Sequence, residues 1–292
     1  MAEGSKQKET KAKEHNAEQQ AQQGKKKRKE IFPYGNYKNY YGYRLGQDLE
    51  EDPRLKVMKK EWFEGKDCLD IGCNNGVITI QIAKKFGCRS ILGVDIDSNR
   101  IEDAHWHLRK IVRMEKTKKI EGKVSRSEVS EDANGIGNTT SASLDEETKH
   151  ISRNNFLDER NLFDIVKFQQ ENFVWSQKLH EKHYDTIVCL SVTKWIHLNW
   201  GDDGLITLFS KIWRLLNPGG ILVLEPQPWK SYESNRQVSE TTLQNYKKIM
   251  FRPECFQDLL LDKIGFRTVE DVTASVSGSK IGFNRPILVF RK

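Results

Sequence analysis

The sequence predicts an α/β protein built on a single doubly wound seven-stranded sheet, and three observations carry that expectation. Short apolar runs alternate with segments of helical periodicity from Cys68 onward. The first run, Cys68-Leu69-Asp70-Ile71, breaks into the glycine turn Gly72-Cys73-Asn74-Asn75-Gly76 and then into a helical pattern from Val77 to Phe86. Two further runs, Phe266–Val269 and Arg285–Phe290, close the chain as a strand pair. Buried strands separated by helices give a largely parallel sheet covered on both faces.

The strand–turn–helix at residues 68–86 is a ligand loop by its chemistry. Gly72 and Gly76 lack side chains that would exclude a ligand from the backbone, and a helix start offers unpaired N–H groups. A dinucleotide loop reads G-x-G-x-x-G, with close glycines that admit a pyrophosphate. Here Asp70 precedes the first glycine. A carboxylate there repels a pyrophosphate and suits the cationic amino group of S-adenosylmethionine (SAM). The second strand, Ser90–Asp95, ends in acid about twenty residues on, where Asp95 is placed to bind the two ribose hydroxyls of an adenosine. The competing reading is that Asp70 and Asp95 only cap helices.

The chain before that loop divides in two. Residues 1–30 hold nine Lys or Arg against five Glu, so more than half of the formal charge of +7 lies there. With almost no apolar residue larger than alanine, this tail is expected to be disordered. Its run Lys25-Lys26-Lys27-Arg28-Lys29 reads as a nuclear import signal, a phosphate-binding arm or a solubilising tail. The folded part, residues 31–292, opens on Phe32–Arg44, which holds five tyrosines with interleaved Lys38 and Arg44. Rings stack on bases while hydroxyls and cations reach phosphates, so this is the best nucleic-acid surface in the chain. It also reads as a lid over the cofactor. Arg54, in the helical segment before the first strand, is placed to reach the cofactor carboxylate.

After Asp97 an amphipathic helix is predicted from about Ser98 to Glu115, with Ile101, Ala104, Leu108, Ile111 and Val112 at helical spacing. From about 117 to 160 the periodicity vanishes and a disordered insertion is expected. A third strand, Ile165–Gln169, leads to Asn172 and Phe173, a polar side chain and a ring suited to an adenine. The fourth strand, Tyr184–Leu190, runs into Thr193–Trp200, read as a strand-end loop facing the transferred group, with Lys194 and His197 as candidates for substrate contact. A helix from Gly204 to Leu216, a fifth strand at Ile221–Glu225 and a helix near Pro253–Ile264 complete the pattern. Glu225, between the strand and Pro226, reads first as structural.

Composition sets limits on function. A hydrophobic content of 37% supports one good core. The five cysteines lack metal-ligand spacing, so no metal is expected, and they fit buried, reduced thiols. No run is long and apolar enough to span a bilayer and the N-terminus has no apolar signal core, so a soluble, non-secreted protein is expected.

Six motifs together resemble the SAM-dependent RNA methyltransferases of the bicoid-interacting-protein family. They are Tyr34-Gly35-Asn36-Tyr37, Tyr40-Tyr41-Gly42-Tyr43-Arg44, Leu69–Asn74, Val94–Asp97, Thr193–Asn199 and Leu224–Trp229. The resemblance implies a class I, Rossmann-like methyltransferase fold and SAM as cofactor. It implies cofactor contact by Tyr41, Arg54, Gly72, Cys73, Asn74, Asp95, Ile96, Asn172, Phe173 and Leu190, with Asp70 added from the charge argument above. It implies RNA contact around Tyr40, Arg44, Lys194 and His197, the last three serving as the catalytic set. The tyrosine-rich segment is similar to family members that methylate the 5′ γ-phosphate of a small nuclear RNA in the nucleus, alongside ribonucleoprotein proteins. Methyl transfer to an already anionic phosphate needs alignment and charge compensation but no general base. Lys194, His197 and Arg44, with no carboxylate pair or nucleophilic triad beside them, agree with that chemistry. A protein or small-molecule methyltransferase leaves the tyrosine segment unexplained, and a non-catalytic RNA chaperone leaves Asp70, Gly72 and Asp95 idle.

Overall fold

The computed structural model describes residues 31–41, 51–127, 161–176, 182–273 and 285–292. The tail 1–30, Arg44 and residues 128–160 of the expected insertion lie outside them. The chain divides into Met1–Phe32 and Pro33–Lys292, and every helix and strand among the described residues belongs to the second unit.

Seven strands form one sheet: β1 (Asp67–Ile71), β2 (Ser90–Asp95), β3 (Val166–Gln170), β4 (Tyr184–Leu190), β5 (Leu216–Glu225), β6 (Thr268–Asp271) and β7 (Leu288–Arg291). Their order is β3-β2-β1-β4-β5-β7-β6. β1 to β5 are parallel, and β7 runs antiparallel to both β5 and β6. The strand order reverses between β1 and β4, and a crevice opens beyond their carboxyl ends. The expected doubly wound sheet is therefore present, with its switch point at the Asp70 strand.

Before the sheet stands the short helix α1 (Arg54–Val57), and α4 (Leu162–Ile165) leads into β3. The strands read as continuous apolar runs because both faces are covered. Cys68, Ile91, Val166, Val188 and Val223 pack beneath α2 (Val77–Phe86) and α3 (Ser98–Ser127), with Ile82, Ala104, Leu108 and Val112 facing them. Leu69, Ile71, Ile187, Cys189, Leu222 and Leu224 meet α5 (Thr193–Leu215) through Leu205, Leu208, Phe209 and Ile212. Leu69, Val188, Leu222 and Phe209 are fully buried. Each such side chain contributes about 1.5–3 kcal/mol of transfer free energy.

Three elements depart from expectation. α3 continues to Ser127, past the predicted end at Glu115 and into the expected insertion. Lys, Glu and Arg hold a helix by propensity once its first turns are packed, so the loss of apolar period does not end it. Second, residues 193–200 are not a strand-end loop. α5 begins at Thr193 and kinks at Gly201, whose φ of 65° breaks the helical path before Leu205 resumes it. The helix expected from Gly204 is the continuation of α5 beyond this bend. Third, two helices follow β5 where none was expected: α6 (Trp229–Asn235) and α7 (Glu240–Lys248). α7 opens on a capping box in which the Ser239 hydroxyl accepts from the Thr242 N–H and the Thr242 hydroxyl accepts from the Ser239 N–H.

Candidate active site

The β1–α2 turn folds back on the end of β2. The Gly72 and Cys73 N–H groups both donate to the Val94 carbonyl, and the Asn74 N–H donates to Asp95 Oδ2 at 2.9 Å. Asp95 Oδ1 accepts from the Asp97 N–H at 2.9 Å. Each carboxylate oxygen keeps lone pairs directed elsewhere. Asp95 therefore both ties the loop and faces the crevice. Gly72 and Gly76 are required for a reason other than ligand access. Both have positive φ, and a Cβ on Gly72 would lie 2.4 Å from Val192 Cγ2, one on Gly76 2.5 Å from Phe168 Cζ. The glycines make room for the protein's own side chains, and only Gly72 also lines the cleft.

Asp70 is 3% exposed at the centre of the sheet, opposite Gly93 on β2 and Val188 on β4, and accepts from the Thr79 hydroxyl at 2.6 Å. Burial raises its carboxyl to about 6, against the opposing pull of Thr79 and Arg54. Burial also raises Asp95. Two desolvated carboxylates on adjacent strand ends favour a ligand carrying a cation and hydroxyl donors.

A cleft lies over these groups. Tyr41, Arg54, Asp70, Gly72, Cys73, Asn74, Asp95, Ile96, Asn172, Phe173 and Leu190, the whole expected cofactor set, all line it. Arg54 is more constrained than expected. Its guanidinium is 1% exposed, grips Asp52 through Nε and Nη2 at 2.9 and 2.7 Å, and donates from Nη1 to Glu225 at 3.1 Å. Glu171, missed by sequence reasoning, also lines the cleft. Lys211 lies 3.5 Å from its carboxylate and donates to the Phe173 carbonyl at 2.8 Å, fixing the turn that carries Asn172.

The tyrosine segment forms a strap across the cleft mouth. Tyr34 stacks on Trp200 at 5.9 Å, and Tyr37 meets Trp195 edge-on. Gly35, at φ 70°, lies against the Trp195 ring so closely that a Cβ would overlap it. The Asn36 amide donates to Asp97, Asn74 donates to the Tyr37 carbonyl, and Arg100 donates to the Lys38 carbonyl. The lid reading thus holds for residues 33–41.

A second cleft adjoins the first and shares Gly35, Tyr40, Ser191 and Trp195 with it. Its other walls are Tyr37, Lys194, Gln227, Ser231, Asn235 and Arg285. Lys194, on the first turn of α5, is 4% exposed, donates to Ser231 Oγ at 3.0 Å and sits 4.1 Å over the Trp195 ring. Burial, reinforced by Arg285, pushes its ammonium down to about 7. Two basic side chains lining one cleft suit an anion, whose charge favours the protonated form of Lys194. Arg285, Gln227 and Ser231 escaped sequence reasoning. Arg285 was taken as the start of a strand, and Ser231 rides on the unforeseen α6, for which Pro228 followed by Trp229 and Tyr232 at helical spacing was the available signal.

His197 does not join Lys194 in the cleft. Its side chain is fully buried, Nε2 lies 2.8 Å from Asp202 Oδ1, and Nδ1 lies 3.4 Å from the Tyr232 hydroxyl. Because α5 is helical here, residues three apart leave on nearby but not identical headings, and His197 points into the protein. It braces the Gly201 kink, since Asp202 also accepts from the Met250 and Phe251 N–H groups. Of the other expected substrate contacts, Tyr40 lines both clefts and Arg44 is outside the described residues. Among the described residues no group of His, Cys, Asp and Glu could hold a metal ion.

Comparison with known proteins gives this geometry a family. The family model described as Bicoid-interacting protein 3 matches residues 184–292. The chain is 64% identical to an Arabidopsis thaliana protein named "Probable RNA methyltransferase At5g51130", over 92% of this chain and 83% of that one. It is 36% identical to the Drosophila melanogaster U6 snRNA methylphosphate capping enzyme Amus, over 89% of this chain and 75% of that one. It is 40% identical to the human 7SK snRNA methylphosphate capping enzyme, over 92% of this chain but only 40% of the human protein's length. The chemistry of the donor set fits SAM: the buried carboxylates of Asp70 and Asp95 line the same cleft as Asn172 and Phe173. The chain therefore belongs to the bicoid-interacting protein 3 family and is a SAM-dependent methyltransferase of class I, Rossmann-like fold.

Proposed function

We propose that the acceptor is the terminal phosphate of an RNA 5′ triphosphate, in a small nuclear RNA. The observation that supports this most directly is the second cleft, which Lys194 and Arg285 both line and which shares Tyr40, Ser191 and Trp195 with the cofactor cleft. An acceptor seated there carries several negative charges and has one oxygen directed at the cofactor. The names of the Drosophila and human relatives favour a methylphosphate cap on a small nuclear RNA as the product.

The sulfonium methyl of SAM is the electrophile when the cofactor is bound. A terminal phosphate, with its second ionisation near pH 6, is already an anionic nucleophile at neutral pH. The chain's own task is then to align and neutralise. Lys194 and Arg285 compensate the phosphate charge, Tyr40 and Trp195 form the passage between the clefts, and the 33–41 strap excludes water above it. Arg44 is proposed as a third phosphate contact. His197 supports Lys194 through the kink and has no direct part.

RNA with a 5′ triphosphate is expected to accept one methyl group per molecule, and the same RNA with a 5′ hydroxyl none. Equal labelling of the two would reject the reading, and labelling confined to a 5′ monophosphate would shorten the acceptor. The RNA contacts should weaken steeply with salt, because phosphate binding releases counterions. We place the reaction in the nucleus, on the grounds of Lys25–Lys29 and the relatives' RNA substrates. Imaging a fluorescent fusion checks that placement: cytoplasmic signal would contradict it.

A further inference from the structure

Between the two clefts runs a continuous buried chain of polar groups, and one of its inner members is a serine in an unfavourable backbone state. Ser191, the first residue after β4, has φ 62°. Its N–H donates to the Glu225 carbonyl at 2.9 Å, and the Gln227 side chain donates to its carbonyl. Its hydroxyl donates to Glu225 Oε2, the same oxygen that accepts from Arg54 Nη1 at 3.1 Å. Arg285 Nη1 then donates to Ser191 Oγ at 2.7 Å. Glu225, Ser191, Arg54 and Arg285 are all buried.

If this position only turned the chain, glycine would do so without strain. A serine here carries a conformational cost that glycine avoids, and what it adds is one hydroxyl. That hydroxyl satisfies both of its roles at once, as donor to a carboxylate and acceptor from a guanidinium. The direction is fixed, because Glu225 can only accept and Arg285 can only donate. Arg285 is thereby held at the junction of the clefts by the strand that also carries the cofactor-side groups.

We propose that Ser191 is a positioning residue for the acceptor: anchored by Glu225, its hydroxyl aims the Arg285 guanidinium at the terminal phosphate of the RNA. This rests on the acceptor reading above. It adds that Arg285 acts only where Ser191 places it, and that Glu225, at the end of β5, serves both clefts through a single oxygen.

Ser191→Gly is the informative variant, since it removes the hydroxyl and relieves the backbone. The KM for 5′-triphosphate RNA is expected to rise about tenfold, as the loss of one charge-assisted hydrogen bond implies. Calorimetric SAM affinity should change by less than the KM does, and the melting temperature should not fall. Ser191→Ala should show the same KM with a lower melting temperature than the glycine variant, separating hydroxyl from backbone. Arg285→Gln should raise KM at least as much, and the Ser191→Gly/Arg285→Gln double variant should resemble Arg285→Gln alone, within twofold. A wild-type KM in Ser191→Gly, or effects of the two changes that multiply, would overturn the proposal while leaving the acceptor reading intact. A wild-type enzyme that labels no triphosphate RNA would overturn the acceptor reading and this proposal with it.

Discussion

Asp95→Ala is expected to weaken SAM binding by roughly 10- to 100-fold, the equivalent of about 1.5–3 kcal/mol for a charge-assisted acceptor. Two losses combine in that variant. The ribose hydroxyls lose their carboxylate, and the Asn74 and Asp97 N–H groups lose the oxygens that hold them at 2.9 Å. The second loss loosens the loop against which the cofactor rests, because Asn74 sits at φ 51° and depends on that tie. Asp95→Asn keeps one acceptor oxygen and should fall between wild type and alanine. Calorimetry decides it. Unchanged affinity in Asp95→Ala would remove Asp95 from the site.

Lys194→Met should abolish most turnover on triphosphate RNA, about a 100-fold fall in kcat/KM, with SAM affinity within twofold of wild type. Stability should move the other way. Burial and Arg285 push the Lys194 ammonium down to about 7. A lysine whose folded value lies below its unfolded value of about 10.4 costs the fold its charge, a cost that is absent above the unfolded value and grows as pH falls toward 7. Methionine removes that cost, so the variant should melt higher than wild type at pH 7. The same shift sets the pH dependence of binding. Lys194 is charged below about 7 and loses its proton above it, so the KM for triphosphate RNA should rise between pH 6.5 and 8.5. Lys194→Arg keeps its charge throughout and should flatten that rise. A flat wild-type profile, together with a Lys194→Met enzyme of normal turnover, would show that the cation is not used.

The cofactor half of the site was legible in the sequence because its residues are tied to strand ends. Asp70, Asp95 and Leu190 each terminate or lie within an apolar run, and a parallel sheet brings the ends of neighbouring runs together whatever the loops do. The glycines were found for an incomplete reason: they look like ligand space, and Val192 and Phe168 occupy most of it. The second cleft was harder to read, because its residues come from elements with no common period. Lys194 was found by its place after β4, but reading residues 193–200 as a loop carried His197 in with it, and only the helical path sends the two side chains apart. Arg285 approaches from just before β7, some ninety residues away in sequence from the Ser191 that holds it at 2.7 Å. Nothing local marks such a pairing. The end of α3 was missed for the opposite reason, since charged residues sustain a helix without any apolar stripe.

On the proposed reading, the methyl group goes to a terminal phosphate and to nothing else on the RNA. The most direct test of that reading is the position of the label after the wild-type enzyme has acted on 5′-triphosphate RNA with methyl-labelled SAM. Digestion to nucleotides followed by mass spectrometry should find the whole label on the 5′-terminal nucleotide triphosphate, as a methyl ester of the last phosphate that resists phosphatase. Label on internal nucleotides, on a base or on a ribose hydroxyl would contradict the account, and the two-cation cleft would then need a different acceptor.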